Sequence, residues 1–215
     1  MCGIFGVLSN RSVTRPILEG LTKLEYRGYD SSGISVLDEG KKIKTIRSKG
    51  KLINLKKKLE KTNLKGNIGI GHTRWATHGA PSTINAHPHT SENVSIVHNG
   101  IIENYSILKK NLKKKGYKFK SQTDSEVIAH LLNFELKNEK PEIAIKNTLS
   151  HLEGAFAIAI IFKDLGLLAG SRKGSPLALG ISNDSMFIGS DSLALAPFTK
   201  KIIFLDEGDS VIIKN

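Results

Sequence analysis

The residues able to do chemistry sit at the start of this chain and in three polar stretches. Its single cysteine is the second residue, in Met1-Cys2-Gly3-Ile4-Phe5-Gly6-Val7. Removal of Met1, which a small second residue permits, would put a thiol and a free α-amine on one residue. Such an amine has a pKa of about 7.7–8.0 and a free thiol one of about 8.5. A partly neutral amine can take the thiol's proton, directly or through a water. Cys2 would then be a nucleophile carrying its own general base. A lone cysteine is otherwise a small buried hydrophobe, and position alone leaves both readings open.

A thiolate attacking an amide needs donors for the developing oxyanion. In His98-Asn99-Gly100-Ile101-Ile102-Glu103-Asn104, Asn99 and Gly100 offer a side-chain amide beside a backbone N–H. Asn-Gly is equally a hairpin turn. The carboxylate of an amino-acid substrate calls for a guanidinium, which binds it bidentately. Arg74 fits, in His72-Thr73-Arg74-Trp75-Ala76-Thr77-His78-Gly79, next to the only tryptophan. The substrate's ammonium calls for a carboxylate, and Asp124 is a candidate. Locally, however, Thr123-Asp124-Ser125-Glu126 reads better as a capped helix start of the capping-box kind. The remaining polar stretch is Tyr26-Arg27-Gly28-Tyr29-Asp30-Ser31-Ser32-Gly33.

His72, His78, His87, His89 and His98 cluster in the sequence. His87-Pro88-His89 lacks helical ligand spacing, and no Cys or acid completes a zinc pattern, so neither metal nor cofactor is expected. A dyad of Cys2 with a histidine is conceivable, but a free amine makes a histidine base unnecessary.

Elements must hold these stretches together. Gly3–Leu8 reads as a buried strand. Val13, Ile17, Leu21 and Leu24 recur at helical spacing, with Ser12 as N-cap. Strands are expected at 33–37, 67–73 and 94–98, each of the last two running into a polar loop. Short helices are expected around Leu52–Leu59 and Tyr105–Leu112. A strong one is expected after Asp124 and a further one over 142–152. From Gly154 the pattern turns to strands, separated by turns rich in Gly, Ser, Asn and Asp. Strands in two groups with helices between them do not alternate as a doubly wound sheet would. They predict an α+β architecture of stacked sheets covered by helices.

The chain has 215 residues, 39% hydrophobic and 24% charged, as in a soluble globular protein. No apolar run reaches the roughly 20 residues of a membrane span, and no signal peptide is apparent. One cysteine makes no internal disulfide, so the expected setting is reducing and cytoplasmic. The net charge of +12 invites a nucleic-acid partner. The excess is mostly lysine on helix faces without interleaved aromatics, so a solvated surface is the better reading and no nucleic-acid partner is expected.

The start Cys2-Gly3-Ile4-Phe5-Gly6 resembles the glutaminase domain of class II glutamine amidotransferases, which are N-terminal-nucleophile enzymes. Leu24–Gly33, Thr73–Gly79, Asn85–His89, His98–Tyr105, Gln122–Ile128, Leu152–Ala157 and Arg172–Leu177 resemble the branch that transfers ammonia to fructose 6-phosphate. The resemblance runs in order along essentially the whole chain. It implies a four-layer αββα sandwich over residues 2–215 and glutamine as substrate. It implies Cys2 as nucleophile, forming a γ-glutamyl thioester and releasing ammonia, with Asn99 and Gly100 at the oxyanion positions. Arg74 and Asp124 would hold the α-carboxylate and α-amine of glutamine, with Thr77 and His78 as further contacts. Arg27 would lie near the nucleophile. Tyr29 and Trp75 would close the site and direct ammonia.

Family members continue into two sugar-isomerase domains that use the ammonia to make glucosamine 6-phosphate, and the full-length enzymes are expected to be homo-oligomers. This sequence stops at Asn215, so the expectation is one domain of such an enzyme, acting on fructose 6-phosphate only through the domains it lacks. The competing expectations are the glutaminase half of an amidotransferase with another acceptor and, more distantly, a basic nucleic-acid-binding module.

Overall fold

The computed structural model describes residues 2–38 and 41–214. Met1, whose removal would create the α-amine, therefore lies outside the described residues.

The chain opens with β1 (Gly3–Ser9), α1 (Thr14–Leu24) and a 3-10 turn (Glu25–Arg27). Then come β2 (Ser31–Leu37), β3 (Ile43–Lys49), α2 (Leu52–Glu60) and β4 (Ile68–Arg74). The middle holds β5 (His89–Ser91), β6 (Val94–Ile102), α3 (Tyr105–Lys114), α4 (Glu126–Glu135) and α5 (Pro141–Ser150). The chain ends with β7 (Gly154–Phe162), β8 (Leu167–Lys173), β9 (Ala178–Ile181), β10 (Ser185–Gly189), α6 (Ser192–Leu195), β11 (Lys201–Phe204) and β12 (Ser210–Ile213). One sheet runs β11-β9-β10-β1-β4-β2-β3 and the other β12-β8-β7-β6-β5. Among the described residues these strands pair antiparallel.

Strand alternation builds the layers. In β1, Phe5 and Val7 face α1, α2 and α6, while Ile4 and Leu8 face the other sheet. In β7, Phe156, Ile158, Ile160 and Phe162 face α3, α4 and α5. Its intervening Ala157, Ala159 and Ile161 face the first sheet. Both faces of the central strands are thus buried, which is why they read as continuous apolar runs. Three cores separate helices, sheet, sheet and helices, and the expected four-layer αββα sandwich is the fold observed.

Some local expectations fail. Ser12 does not cap α1: the N-cap is Val13, with no side-chain bond. Val13 N–H donates to the Gly66 carbonyl instead, and Thr14 Oγ1 to that of Leu64 at 2.6 Å. Neither Thr123 nor Asp124 caps α4, whose N-cap is Ser125, again without a side-chain bond. Nor does Glu126 close a capping box: its carboxylate accepts from the backbone N–H groups of Lys120 and Ser121 at 2.9 and 2.7 Å. The loop expected after His98 is strand, because β6 continues to Ile102, paired with β7 throughout. This removes the hairpin reading of Asn99-Gly100. The half-exposed β3, the three-residue β5 and the one-turn α6 carry too little apolar periodicity to have been expected.

Candidate active site

Central strands of both sheets bring Cys2 and Asn99 together. Cys2 directly precedes β1, where Gly3 lies opposite Thr73 of β4. A Cβ on Gly3 would fall 2.6 Å from Leu24 Cβ and Thr73 Oγ1, so the backbone at the nucleophile tolerates no side chain there. Asn99 Nδ2 donates to the Cys2 carbonyl at 2.9 Å. Trp75 N–H donates to Cys2 Sγ at 3.2 Å. Burial pushes the Cys2 thiol above its ordinary range, against the Trp75 N–H and the Arg74 charge, which pull it down. A thiol so raised is protonated at neutral pH and needs a base to become a nucleophile.

Gly100 continues β6 with φ at +121°, and a Cβ there would lie 2.0 Å from the Ala155 carbonyl oxygen. Only glycine fits both the conformation and the close approach.

Arg74, at the end of β4, is 3% exposed. Its Nη2 donates to the carbonyls of His78 and Gly79, at 2.5 and 3.0 Å, and so shapes the loop after β4. Its Nη1 has no hydrogen-bond partner among the described residues and stands 3.9 Å from Asp30 Oδ1. Asp30 also accepts from Ala76 N–H, which ties the two polar loops together. Asp124, also 3% exposed, accepts from Ile102 N–H through Oδ2 at 2.8 Å. Its Oδ1 is 3.9 Å from His78 Nδ1. A buried guanidinium and a buried carboxylate thus face one cavity, each with one polar atom held only by an ion pair at 3.9 Å, and the two opposite charges suit a zwitterionic ligand.

One cavity of about 260 Å³ gathers Cys2, Arg27, Arg74, Trp75, Thr77, Asn99, Gly100 and Asp124. Tyr29 and His78 are not among its lining residues. Tyr29 packs edge-on against Trp75 with ring centroids 5.5 Å apart, and both are about half exposed. His78 packs edge-on against Tyr105. Arg27 is a wall and not a free cation: Nη2 is 2.5 Å from Asp191 Oδ2, and Tyr26 Oη donates to the same oxygen. Sequence reasoning passed over His87, Ile101, Thr123, Ser125, Ser175 and Pro176, which also line the cavity. All six lie within motifs of the resemblance; of them, sequence reasoning weighed only His87, as a clustered histidine, and Thr123 and Ser125, as part of a helix start, and gave none of the six a place in the site.

Of the clustered histidines, His72, His87, His89 and His98 are buried, and His87 and His98 line the cavity. The His72 and His87 rings pack tilted at 4.2 Å, and His87 meets His89 edge-on at 4.7 Å. Burial lowers their pKa values, to about 3 for His72 and His89, about 4 for His98, and well below the ordinary range for His87. Among the described residues no group of three or more His, Cys, Asp and Glu side chains is placed to hold a metal ion. No helix among them is long and apolar enough to cross a membrane.

The profile of a glutamine amidotransferase domain family matches residues 72–197. The glutamine--fructose-6-phosphate aminotransferase [isomerizing] of Mesorhizobium japonicum is 52% identical over 216 residues, covering 100% of this chain. That of Bartonella henselae is 51% identical, covering 99% of it. The chain spans only 35% of the length of each. Among solved structures, the glutamine phosphoribosylpyrophosphate amidotransferase of B. subtilis superposes with a TM-score of 0.82 at 28% identity, covering 100% of this chain and 47% of its own. A glutamine aminotransferase class-II domain protein from Silicibacter pomeroyi shares the fold with a TM-score of 0.71 at 14% identity, covering 100% of this chain and 95% of its own.

Proposed function

Since the chain belongs to the glutamine amidotransferase domain family, we propose that it hydrolyses glutamine to glutamate and ammonia through a thioester on Cys2. With Met1 removed, the α-amine of Cys2 takes the thiol proton as Sγ attacks the side-chain carbonyl carbon of glutamine. Asn99 Nδ2 and the Gly100 N–H stabilise the tetrahedral oxyanion. Collapse expels ammonia, which leaves with the proton held by the amine, and a γ-glutamyl thioester remains. Water then attacks, the thiolate leaves, and glutamate is released. Arg74 binds the α-carboxylate and Asp124 the α-ammonium. Thr77 and His78 add contacts, Arg27 walls the nucleophile, and Tyr29 and Trp75 cover the entrance.

The observation that carries this reading is the convergence of Cys2, Asn99, Arg74 and Asp124 on one cavity. The raised Cys2 pKa adds to it, since a protonated thiol calls for a base beside it. Cys2→Ala is expected to abolish glutamine hydrolysis, while Cys2→Ser still binds glutamine. Appreciable turnover in Cys2→Ala, or an active protein that retains Met1, would sink the mechanism.

The relatives' names point to fructose 6-phosphate as the acceptor of the ammonia. We read residues 2–215 as one glutaminase domain of a homo-oligomeric cytoplasmic enzyme whose sugar-isomerase domains lie outside this sequence. No nucleic-acid partner and no cofactor enter the reading. Glucosamine 6-phosphate formation by the full-length protein, from glutamine and fructose 6-phosphate, tests the acceptor. Hydrolysis of glutamine without amination of that sugar points to another acceptor.

A further inference from the structure

A carboxamide has opposite ends: its nitrogen only donates and its oxygen only accepts. A half-turn of the group exchanges them at no cost in volume. Reading Asn99 as an oxyanion donor therefore requires something to choose which end faces Cys2. The structure contains that device. His72, on β4, is fully buried. Its Nε2 lies 3.0 Å from the His98 carbonyl oxygen and 3.0 Å from Asn99 Oδ1. A backbone carbonyl can only accept, so Nε2 carries the proton. With that proton in place only the oxygen end of Asn99 is welcome beside it. Nδ2 is thereby directed to the other side, where it donates to the Cys2 carbonyl at 2.9 Å.

We propose that His72 is a positioning residue that sets the polarity of the Asn99 carboxamide, keeping its donor end toward the nucleophile. The proposal rests on the glutaminase reading of the site. His72 touches no substrate; it acts through Asn99. Its own orientation is held by tilted ring packing on His87 and by pairing of β4 with β1 and β2 on either side. Burial keeps the ring neutral, with a pKa of about 3, so the tautomer persists across the working pH range. The Cys2 carbonyl also favours the donor end, but without the Nε2 proton it is the one remaining hold among these contacts, and the carboxamide turns over more readily. Its oxygen lone pairs would then face the developing oxyanion, replacing a donor with a repulsion.

The test is a double-substitution cycle in glutamine hydrolysis. His72→Phe and Asn99→Ala are each expected to lower kcat about 10²-fold, the scale of one lost oxyanion donor, with KM within about twofold. The double variant should be no more than about threefold slower than Asn99→Ala alone, since His72 has nothing left to orient. His72→Gln, whose amide can donate to the same acceptors, should recover most of the rate and covers the case of a misfolded His72→Phe. Multiplication of the two losses, or a loss that falls on KM, overturns the proposal. A second readout needs no turnover: ¹⁵N shifts of the His72 ring in the resting protein should show a protonated Nε2 and a bare Nδ1. The opposite tautomer overturns the proposal even if the glutaminase reading stands. Activity in Cys2→Ala would instead sink the glutaminase reading, with the tautomer still deciding on His72.

Discussion

The buried histidines make stability fall steeply in mild acid. His72, His87, His89 and His98 are each no more than 4% exposed. Their folded pKa values lie at about 3, well below the ordinary range, about 3 and about 4, chiefly through burial. Arg74 adds to the depression at His72, His87 and His89, and His78 adds at His98. Arg47 adds at His89, whereas Glu126 opposes it there and Asp124 opposes it at His98. In the unfolded chain each imidazole titrates near 6.5. Below that pH the unfolded state binds protons that the folded state refuses, so stability is fully present above about pH 7 and is lost as pH falls toward the folded values.

One unit below the unfolded pKa, at pH 5.5, each group costs about 1.4 kcal/mol and the four together about 6 kcal/mol. A domain of ordinary stability, about 5–15 kcal/mol, loses much of its margin there. Urea unfolding followed by circular dichroism at steps from pH 7.5 to about pH 5.5 reads the loss through the midpoint at constant m. His87→Phe removes a ring whose two nitrogens have no hydrogen-bond partner among the described residues. It should flatten the dependence by about 1.4 kcal/mol per pH unit below the unfolded pKa. Stability constant within about 1 kcal/mol over that range would refute the reasoning, as would a loss confined to the carboxylate range near pH 4.

Gly100→Ala meets both the +121° φ and the Ala155 carbonyl 2.0 Å from the new Cβ. It should cost about 1–3 kcal/mol in strain and at least about 10²-fold in kcat; near-normal turnover would show that the strand end relaxes freely. Arg74→Lys keeps the charge but not the fork that joins Nη2 to two carbonyls with Nη1 toward Asp30. KM for glutamine should rise about 10–100-fold, the worth of a charged hydrogen bond, and an unchanged KM in steady-state assays would remove Arg74 from the binding step. Asp124→Asn can still accept from Ile102 but carries no charge. KM should rise on a similar scale of about 10–100-fold with a smaller change in kcat, and a loss confined to kcat would contradict an ammonium-binding role.

The fold was legible where apolar period and length were unambiguous. The buried runs of β1, β4 and β7 and the spacing in α1 and α4 are strong local signals, and they account for the layers. What escaped was decided at a distance. β3 is an edge strand whose pairing with β2 supplies what its mixed sequence lacks. Ser12 looked like a cap, but the α1 start is satisfied by carbonyls at 64 and 66, some fifty residues away. The same limit governs the site. Asp124 sits in a sequence that fits a helix cap, and only the backbone N–H of Ile102, brought in by β6, gives its carboxylate another partner. Asn99-Gly100 fits a hairpin, and only the register with β7 keeps it in a strand. His72 stood out only as one of a cluster of histidines, and nothing local pointed to Asn99, because its significance is a hydrogen bond across the two sheets. Local sequence reports which side chains could do chemistry. Which of them face one cavity, and which of their atoms are already held by hydrogen bonds, is a property of the packing, as at Arg74, Asn99 and Asp124.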